Sequence, residues 1–183
     1  ISAACRRENL TPDGLGAQVY KHVDAGEISE EHAALLVRSF LSAGVDTTTF
    51  AIGNALFCFA QHAEQWDMVR ANPGKVKHAF EEIMRFESPF QTFFRTTTRD
   101  AEISGVVIPQ DSKILISVAS ANRDPRKWDR PDTFDIGRST AGHVGFGAGI
   151  HGCVGQMIAR LEVEVLLTAL SKRASRIEMI GEP

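Results

Sequence analysis

The stretch from Ser29 to about Gln61 limits the possible folds more than any other part of the chain. Ser29 followed by Glu30 and Glu31 is a helix start: a hydroxyl caps the first orphan amides, and acids in the first turn complement the helix dipole. The helical pattern then runs on to about Gln61, which predicts a single helix ~50 Å long at ~1.5 Å per residue. Its second half is apolar nearly all round, the pattern of a helix buried through the centre of a domain. With 183 residues, 43% of them apolar, the chain is long enough for one domain with a real hydrophobic core around such a helix.

The remaining segments read mostly as shorter helices. Thr11 ahead of Pro12-Asp13 predicts a helix from there to about His22, closed by a turn at Ala25-Gly26. Pro73-Gly74 separates a helix at about Ala63 to Ala71 from one at about Lys75 to Phe86, and Pro89 ends that region. From Phe90 to Val118 the texture is Thr-rich and alternating, with breaks at Gly105, Pro109 and Asp111, which predicts a few short strands. Asn122 to Arg138 reads as a charged loop, His143 to Gly152 as a glycine-rich one, and about Cys153 to Lys172 as a last amphipathic helix. The fold class is therefore mainly α with a small β component.

Charge and composition exclude several roles. A net charge of −3 and a pI near 6.1 give no basic field for nucleic acid or an anionic membrane. The longest strongly apolar stretch, Phe50 to Ala60, falls short of the ~20 residues that cross a bilayer, and Ile-Ser-Ala-Ala-Cys-Arg-Arg is no signal peptide. A cytoplasmic location without nucleic-acid or membrane partners is expected. Cys5, Cys58 and Cys153 stand far apart, against a disulfide framework or a structural zinc site.

Two features carry chemistry. Ser39, Ser42, Ala43, Asp46 and Thr47 fall at i, i+3, i+4, i+7 and i+8, one small and polar face of the long helix. Such residues ordinarily form a solvent-facing strip, or a threonine bonds back to the preceding turn. In a helix this apolar the stripe is expected to line a cavity instead: Ala43-Gly44 leaves room for a bound group, and Asp46 with Thr47 can relay protons. The second feature is Cys153, which follows Phe146-Gly147-Ala148-Gly149-Ile150-His151-Gly152 and precedes Val154-Gly155. Cys5 and Cys58 read as small buried hydrophobes. Cys153, placed at a helix start, has amides and a dipole that favour thiolate, and its glycines let backbone approach a large planar ligand.

Phe146, Gly149, His151, Cys153 and Gly155 resemble the haem-binding loop of cytochrome P-450 proteins, in which the cysteine is the axial thiolate. Ala43-Gly44-Val45-Asp46-Thr47-Thr48 resembles the family's oxygen-activating helix segment, and Glu82-Ile83-Met84-Arg85 its buried Glu-x-x-Arg pair. The resemblance covers essentially the whole chain and implies the C-terminal, haem-binding portion of the fold, residues 1–183, with the N-terminal half absent, a long central helix and a Cys-ligand loop.

By position it implies haem b, iron protoporphyrin IX, on the Cys153 thiolate, with O2 as co-substrate. Arg95 and His151 would meet the haem propionates. Thr47 would hold dioxygen by a hydrogen bond while Asp46 feeds protons. Glu82 and Arg85 would hold the Cys loop together with a loop arginine, Arg138 or alternatively Arg123. In an extended segment alternate side chains share a face, so Phe93 would point where Arg95 points.

The resemblance further implies an iron–sulfur ferredoxin as electron donor, with Arg123, Arg126, Lys127 and Arg130 as candidate docking cations diluted by Asp124, Asp129 and Asp132. Ser39 to Gly44 together with Ser88 to Arg95 resembles members that oxidise para-substituted benzoates. Ser39 and Ser42 would then offer hydroxyls to the carboxylate beside Ala43, and Phe90 and Phe93 would flank the ring. Terpenoid or fatty-acid substrates, or a non-catalytic haem-binding remnant, are the alternatives.

Overall fold

The long helix begins where its cap predicts: Ser29 Oγ accepts the amide of His32 at 3.2 Å and the helix spans Glu30–Gln61. In the computed structural model, which describes residues 2–181, the helices are α1 (Leu15–Asp24), α2 (Glu30–Gln61), α3 (Ala63–Ala71), α4 (Val76–Phe86), α5 (Val118–Asn122) and α6 (Gln156–Ser171). The strands are β1 (Thr92–Thr96), β2 (Ala101–Ile103), β3 (Val106–Ile108) and β4 (Lys113–Ser117). The architecture is thus mainly helical with a small strand component. Packing divides the chain into one unit up to Thr48 and a second from Thr49 onward, with α2 running through both.

In the first unit Cys5, Tyr20, Ala33 and Val37 form a small core, and the Tyr20 hydroxyl donates to the Cys5 carbonyl at 3.0 Å. Helix α1 starts at Leu15 rather than at Thr11. Thr11 accepts the Gly14 amide at 2.9 Å, so Pro12-Asp13 form a turn, and Gly14, in extended backbone, becomes the cap. Phe50 and Gly53 in the second half of α2 are exposed, a correction to the expectation of a second half buried through the centre of a domain; residues 41–46 before them are exposed too, and within the first unit only the Ala33–Val37 side packs.

In the second unit the core joins Ala51, Ala55, Cys58 and Phe59 of α2 to Trp66 and Val69 of α3, Phe80 and Ile83 of α4, Phe134 and Ile136, and Val163 and Leu167 of α6. Phe59 packs on Trp66 at 5.1 Å between centroids, and the Trp66 indole donates to the Ala174 carbonyl at 3.2 Å. β1 pairs with β4 antiparallel, Phe93 opposite Ile116 and Arg95 opposite Ile114. β2 and β3 form a hairpin whose turn needs left-handed backbone at Ser104 (φ 52°) and Gly105 (φ 81°). Helix α5 occupies residues read from sequence as strand end and loop; five residues are too few for a helical period to show. Helix α6 has a second apolar face, Met157, Ile158, Leu161 and Val165, which is exposed.

Candidate functional site

Helix α4 is the platform of the site. Its apolar spacing buries Val76, Ala79, Phe80, Ile83 and Met84, and the same turn carries Glu82 and Arg85 inside, both 0% exposed. The two are a fork-to-fork pair, Arg85 Nε to Glu82 Oε2 and Nη2 to Oε1, each 2.8 Å. Every remaining polar group of the pair is used. Arg85 donates to the carbonyls of Asn122 and Pro131 at 2.9 Å and of Thr133 at 3.3 Å. Glu82 Oε1 also accepts the Asp135 amide at 3.0 Å and Arg138 Nε at 3.3 Å.

Arg138 in turn donates to the carbonyls of Asp129, Arg130 and Thr133. Arg123 is turned elsewhere, to the Phe86 carbonyl at 2.7 and 3.0 Å and to Asp132, and caps the end of α4. The charged loop is therefore wrapped around two buried ions.

The Cys153 loop leaves this frame through Asn122, which is fully buried. Its Oδ1 accepts the Val144 amide at 2.8 Å and its Nδ2 donates to Ser88 Oγ at 2.9 Å. Ser88 holds left-handed backbone (φ 44°), a conformation costing about 1 kcal/mol or more in a residue with a Cβ. Its hydroxyl bonds to the last turn of α4 offset that cost.

Gly145 lies against the Met84 carbonyl, where any Cβ would stand at 2.6 Å, and at Gly147 (φ 74°) a Cβ would meet the His151 carbonyl at 2.7 Å. These two glycines are required by close backbone approach. The loop closes on itself where the Cys153 amide donates to the Phe146 carbonyl at 2.7 Å. Cys153 does not sit in the first helical turn: α6 begins at Gln156 with Gly155 as its cap, and Cys153 stands in the turn ahead, its carbonyl taking the Gln156 amide at 3.4 Å. The Cys153 thiol is exposed, whereas burial pushes the Cys58 thiol up to about 12.

A second carboxylate, Glu81, belongs to none of the sequence motifs. It accepts from Arg160 on α6 and from His143 Nε2 at 2.8 Å, and Arg160 also donates to Gln156 Oε1 at 2.8 Å. The signal that could have found it is two adjacent acids on a helix with apolar residues on both sides; 100° apart, one cannot share the other's partners. Partial burial pushes the Glu81 carboxyl up, but hydrogen bonds from His143 and Arg160 and the Arg160 charge outweigh it, and the group lies at about 2.

The other candidates are placed singly. Thr47 Oγ1 donates to the Ala43 carbonyl at 2.7 Å and Ser39 Oγ to that of Leu35 at 2.8 Å, the back-bonded arrangement, while Ser42, Ala43 and Asp46 are exposed on α2. Phe90 and Phe93 stack at 5.1 Å and 27°, and the Arg95 guanidinium lies over the Phe93 ring at 5.9 Å, so Phe93 and Arg95 share a face of β1. His151 and Gly149 (φ 59°) are exposed in the short 3-10 turn before Cys153.

This donor set fits haem better than a bare ion. Among the described residues no three His, Cys, Asp or Glu side chains converge on a point. A macrocycle brings four nitrogens of its own and needs one exposed thiolate on backbone free of side chains. A Cβ at Gly149 would meet nothing within 4 Å, and one at Gly155 would come no nearer than 4.0 Å to Cys153 Sγ.

Because the Glu81 carboxyl lies at about 2 when folded and near 4.5 ordinarily, an unfolded chain takes up that proton first on acidification. Its contribution, on the order of 3 kcal/mol, is fully present above about pH 4.5 and lost as pH falls through about 2. Denaturant titration should find Glu81→Gln destabilised by about that amount at pH 7, with the gap to wild type closing toward pH 2. A gap constant over that range would contradict the assignment.

Comparison with known proteins agrees with this geometry. The family model described as Cytochrome P450 matches residues 6–173. Cytochrome p450 CYP199A2 of Rhodopseudomonas palustris is 53% identical over 181 residues, 99% of this chain and 44% of the relative. Erythromycin C-12 hydroxylase of Saccharopolyspora erythraea is 36% identical over 97% of this chain and 46% of the relative. A solved structure of cytochrome P450 CREJ in complex with (4-ethylphenyl) dihydrogen phosphate superposes with a TM-score of 0.85 at 32% identity, covering 93% of this chain and 42% of that one. The chain thus spans less than half the length of the relatives it matches. With that extent of likeness carried through the Cys153 loop and the α4 ion pair, the chain belongs to the cytochrome P450 family.

Proposed function

We propose that this chain is the cysteine-bearing portion of a haem-thiolate monooxygenase that inserts one atom of O2 into a small organic substrate, an aromatic acid, by hydroxylation or O-demethylation. The observation that carries the reading is the exposed Cys153 thiol on a glycine loop pinned to α4, in a chain that matches the family from residue 6 to 173. Haem b would supply O2 binding and activation when held by Cys153. Phe146, Gly149 and Gly155 would lie along it, and Arg95 and His151 would pair with its propionates. The second apolar face of α6 also supports a chain that contributes part of a larger domain, since a helix apolar on two sides is ordinarily covered on both.

Asp46 and Thr47 would move protons. The Thr47 hydroxyl spends its one hydrogen on Ala43 but keeps two lone pairs, so it can accept a hydrogen bond from a protonated group while staying fixed. Asp46, exposed beside it, can exchange protons with water. Two electrons must come from outside, and an iron–sulfur ferredoxin is the proposed donor. Arg126, Lys127 and Arg130 are exposed and available to it, although Arg126 is held by Asp124 and Arg130 by Asp129. Among the described residues no helix is long and apolar enough to cross a membrane.

The aromatic-acid reading rests on the Ser39 to Gly44 and Ser88 to Arg95 segments, and the CREJ complex, whose ligand is a para-substituted phenyl group with an anionic end, supports it. Ser42 would serve the anion, joined by Ser39 once its hydroxyl leaves the Leu35 carbonyl; Ala43 would leave room, and Phe90 and Phe93 would take the ring.

After reconstitution with haem, the reduced chain is expected to give the thiolate-type carbon monoxide difference band, and Cys153→Ser to lose it. Haem that fails to bind, or binds equally well in Cys153→Ser, would overturn the reading. For the substrate, a para-substituted benzoate should shift the haem spin state, and Ser42→Val should weaken its affinity about tenfold or more, the loss of a hydrogen bond to a charged group; an unchanged affinity would sink the aromatic-acid assignment.

A further inference from the structure

We propose that Glu81 is a positioning residue for the Cys153 ligand, clamping both flanks of its loop through His143 and Arg160 and reaching the cysteine through Phe146. The inference rests on the reading of Cys153 as the haem ligand.

The loop has little stiffness of its own. Gly145, Gly147, Gly149 and Gly152 fall within ten residues, and the longest side-chain-bearing run among them is two residues. A ligand sulfur must nevertheless be held to within about 0.5 Å of its working position, so the restraint has to come from outside the loop.

Glu81 supplies it from one point on α4. One carboxylate takes His143, which opens the loop, and Arg160, in the second turn of the helix that follows it; sixteen residues lie between them. Joining the ends of a flexible segment through a common anchor removes most of its freedom to open.

The restraint is passed inward by two routes. His143 Nδ1 accepts the Gly145 amide at 3.1 Å, which leaves the ring proton on Nε2 for donation to Glu81, so the carboxylate sets both the orientation and the tautomer of the imidazole. The Arg160 guanidinium lies over the Phe146 ring at 4.4 Å, with Phe80 edge-on to that ring at 6.2 Å, and the Phe146 carbonyl holds the Cys153 amide at 2.7 Å. Glu81, Arg160, Phe146 and Cys153 are thus consecutive contacts. Glu82, one residue on, has no part in this chain: its oxygens go to Arg85, Arg138 and the Asp135 amide.

Residue-resolved amide hydrogen exchange of the full chain, with and without haem, separates positioning from simple stabilisation. In Glu81→Gln the Gly145 and Cys153 amides should exchange about tenfold faster relative to those of Ile83 and Leu167, the size of one lost local restraint. A stability-matched control, Val69→Ala in the core of α3, should raise all four together. Arg160→Lys, which keeps the charge but not the fork and perturbs folding less, should fall between wild type and Glu81→Gln. With haem bound, Glu81→Gln should also convert part of the thiolate-type carbon monoxide band to the non-thiolate form. Uniform exchange in Glu81→Gln and Arg160→Lys, or selective exchange with a fully retained thiolate band, would overturn the positioning role. Failure of the wild-type chain to bind haem would instead remove the proposed function, and the haem-free exchange rates would still decide whether Glu81 clamps the loop.

Discussion

Glu82 and Arg85 put a full negative and a full positive charge one helical turn apart where neither has any exposed surface. Taking two such ions out of water costs several kcal/mol each, and their mutual attraction alone does not reliably repay it. Here the deficit is met by the backbone around them. Three carbonyls, one amide and a second arginine complete the coordination of the pair, and among the described residues no buried side-chain polar atom lacks a partner. The path of residues 122–138, which has no regular structure beyond the end of α5, is fixed because its peptide groups are what the ions require. Everything that follows in the chain, including the Cys153 loop, starts from that path.

The α4 surface therefore works as a template with two neighbouring carboxylates. Glu82 faces inward and organises the loop that precedes the cysteine segment. Glu81, turned by one residue, reaches the segment itself and the helix after it. Asn122 links the two systems: its carbonyl accepts from Arg85, while its side chain holds Val144 and Ser88. In the proposed function the chemistry would thus rest on a side chain of a glycine-rich loop, and its placement on groups of α4, the usual division between a mobile element and its scaffold.

Much of this was legible in the sequence, and the failures have physical causes. The start of α2 was readable because a hydroxyl and two acids mark it, and the Cys153 loop because the spacing of phenylalanine, glycines, histidine and cysteine is restrictive. Thr11-Pro12-Asp13 is ambiguous in sequence because the same residues open a helix or close a turn, and the Gly14 that decides between them lies beyond the cap pattern. The spacing of Glu82 and Arg85 was visible, but most of their partners are peptide groups, which any sequence would supply and none advertises. Exposure of the middle of α2 was invisible for another reason: apolarity reports what a helix can bury, and the described chain packs only part of it.

The buried ions act as a unit with the loop around them, and a double-mutant cycle tests this most directly. Glu82→Gln and Arg85→Met should each destabilise the chain in equilibrium denaturation by about 3–5 kcal/mol, because each leaves the other partner buried and uncompensated. The double variant, with no orphaned charge of the pair, should then be no less stable than the worse single variant, a coupling of several kcal/mol. Single effects that simply add would show that the two residues contribute independently, and the ion pair could not then be the frame on which the Cys153 loop is built.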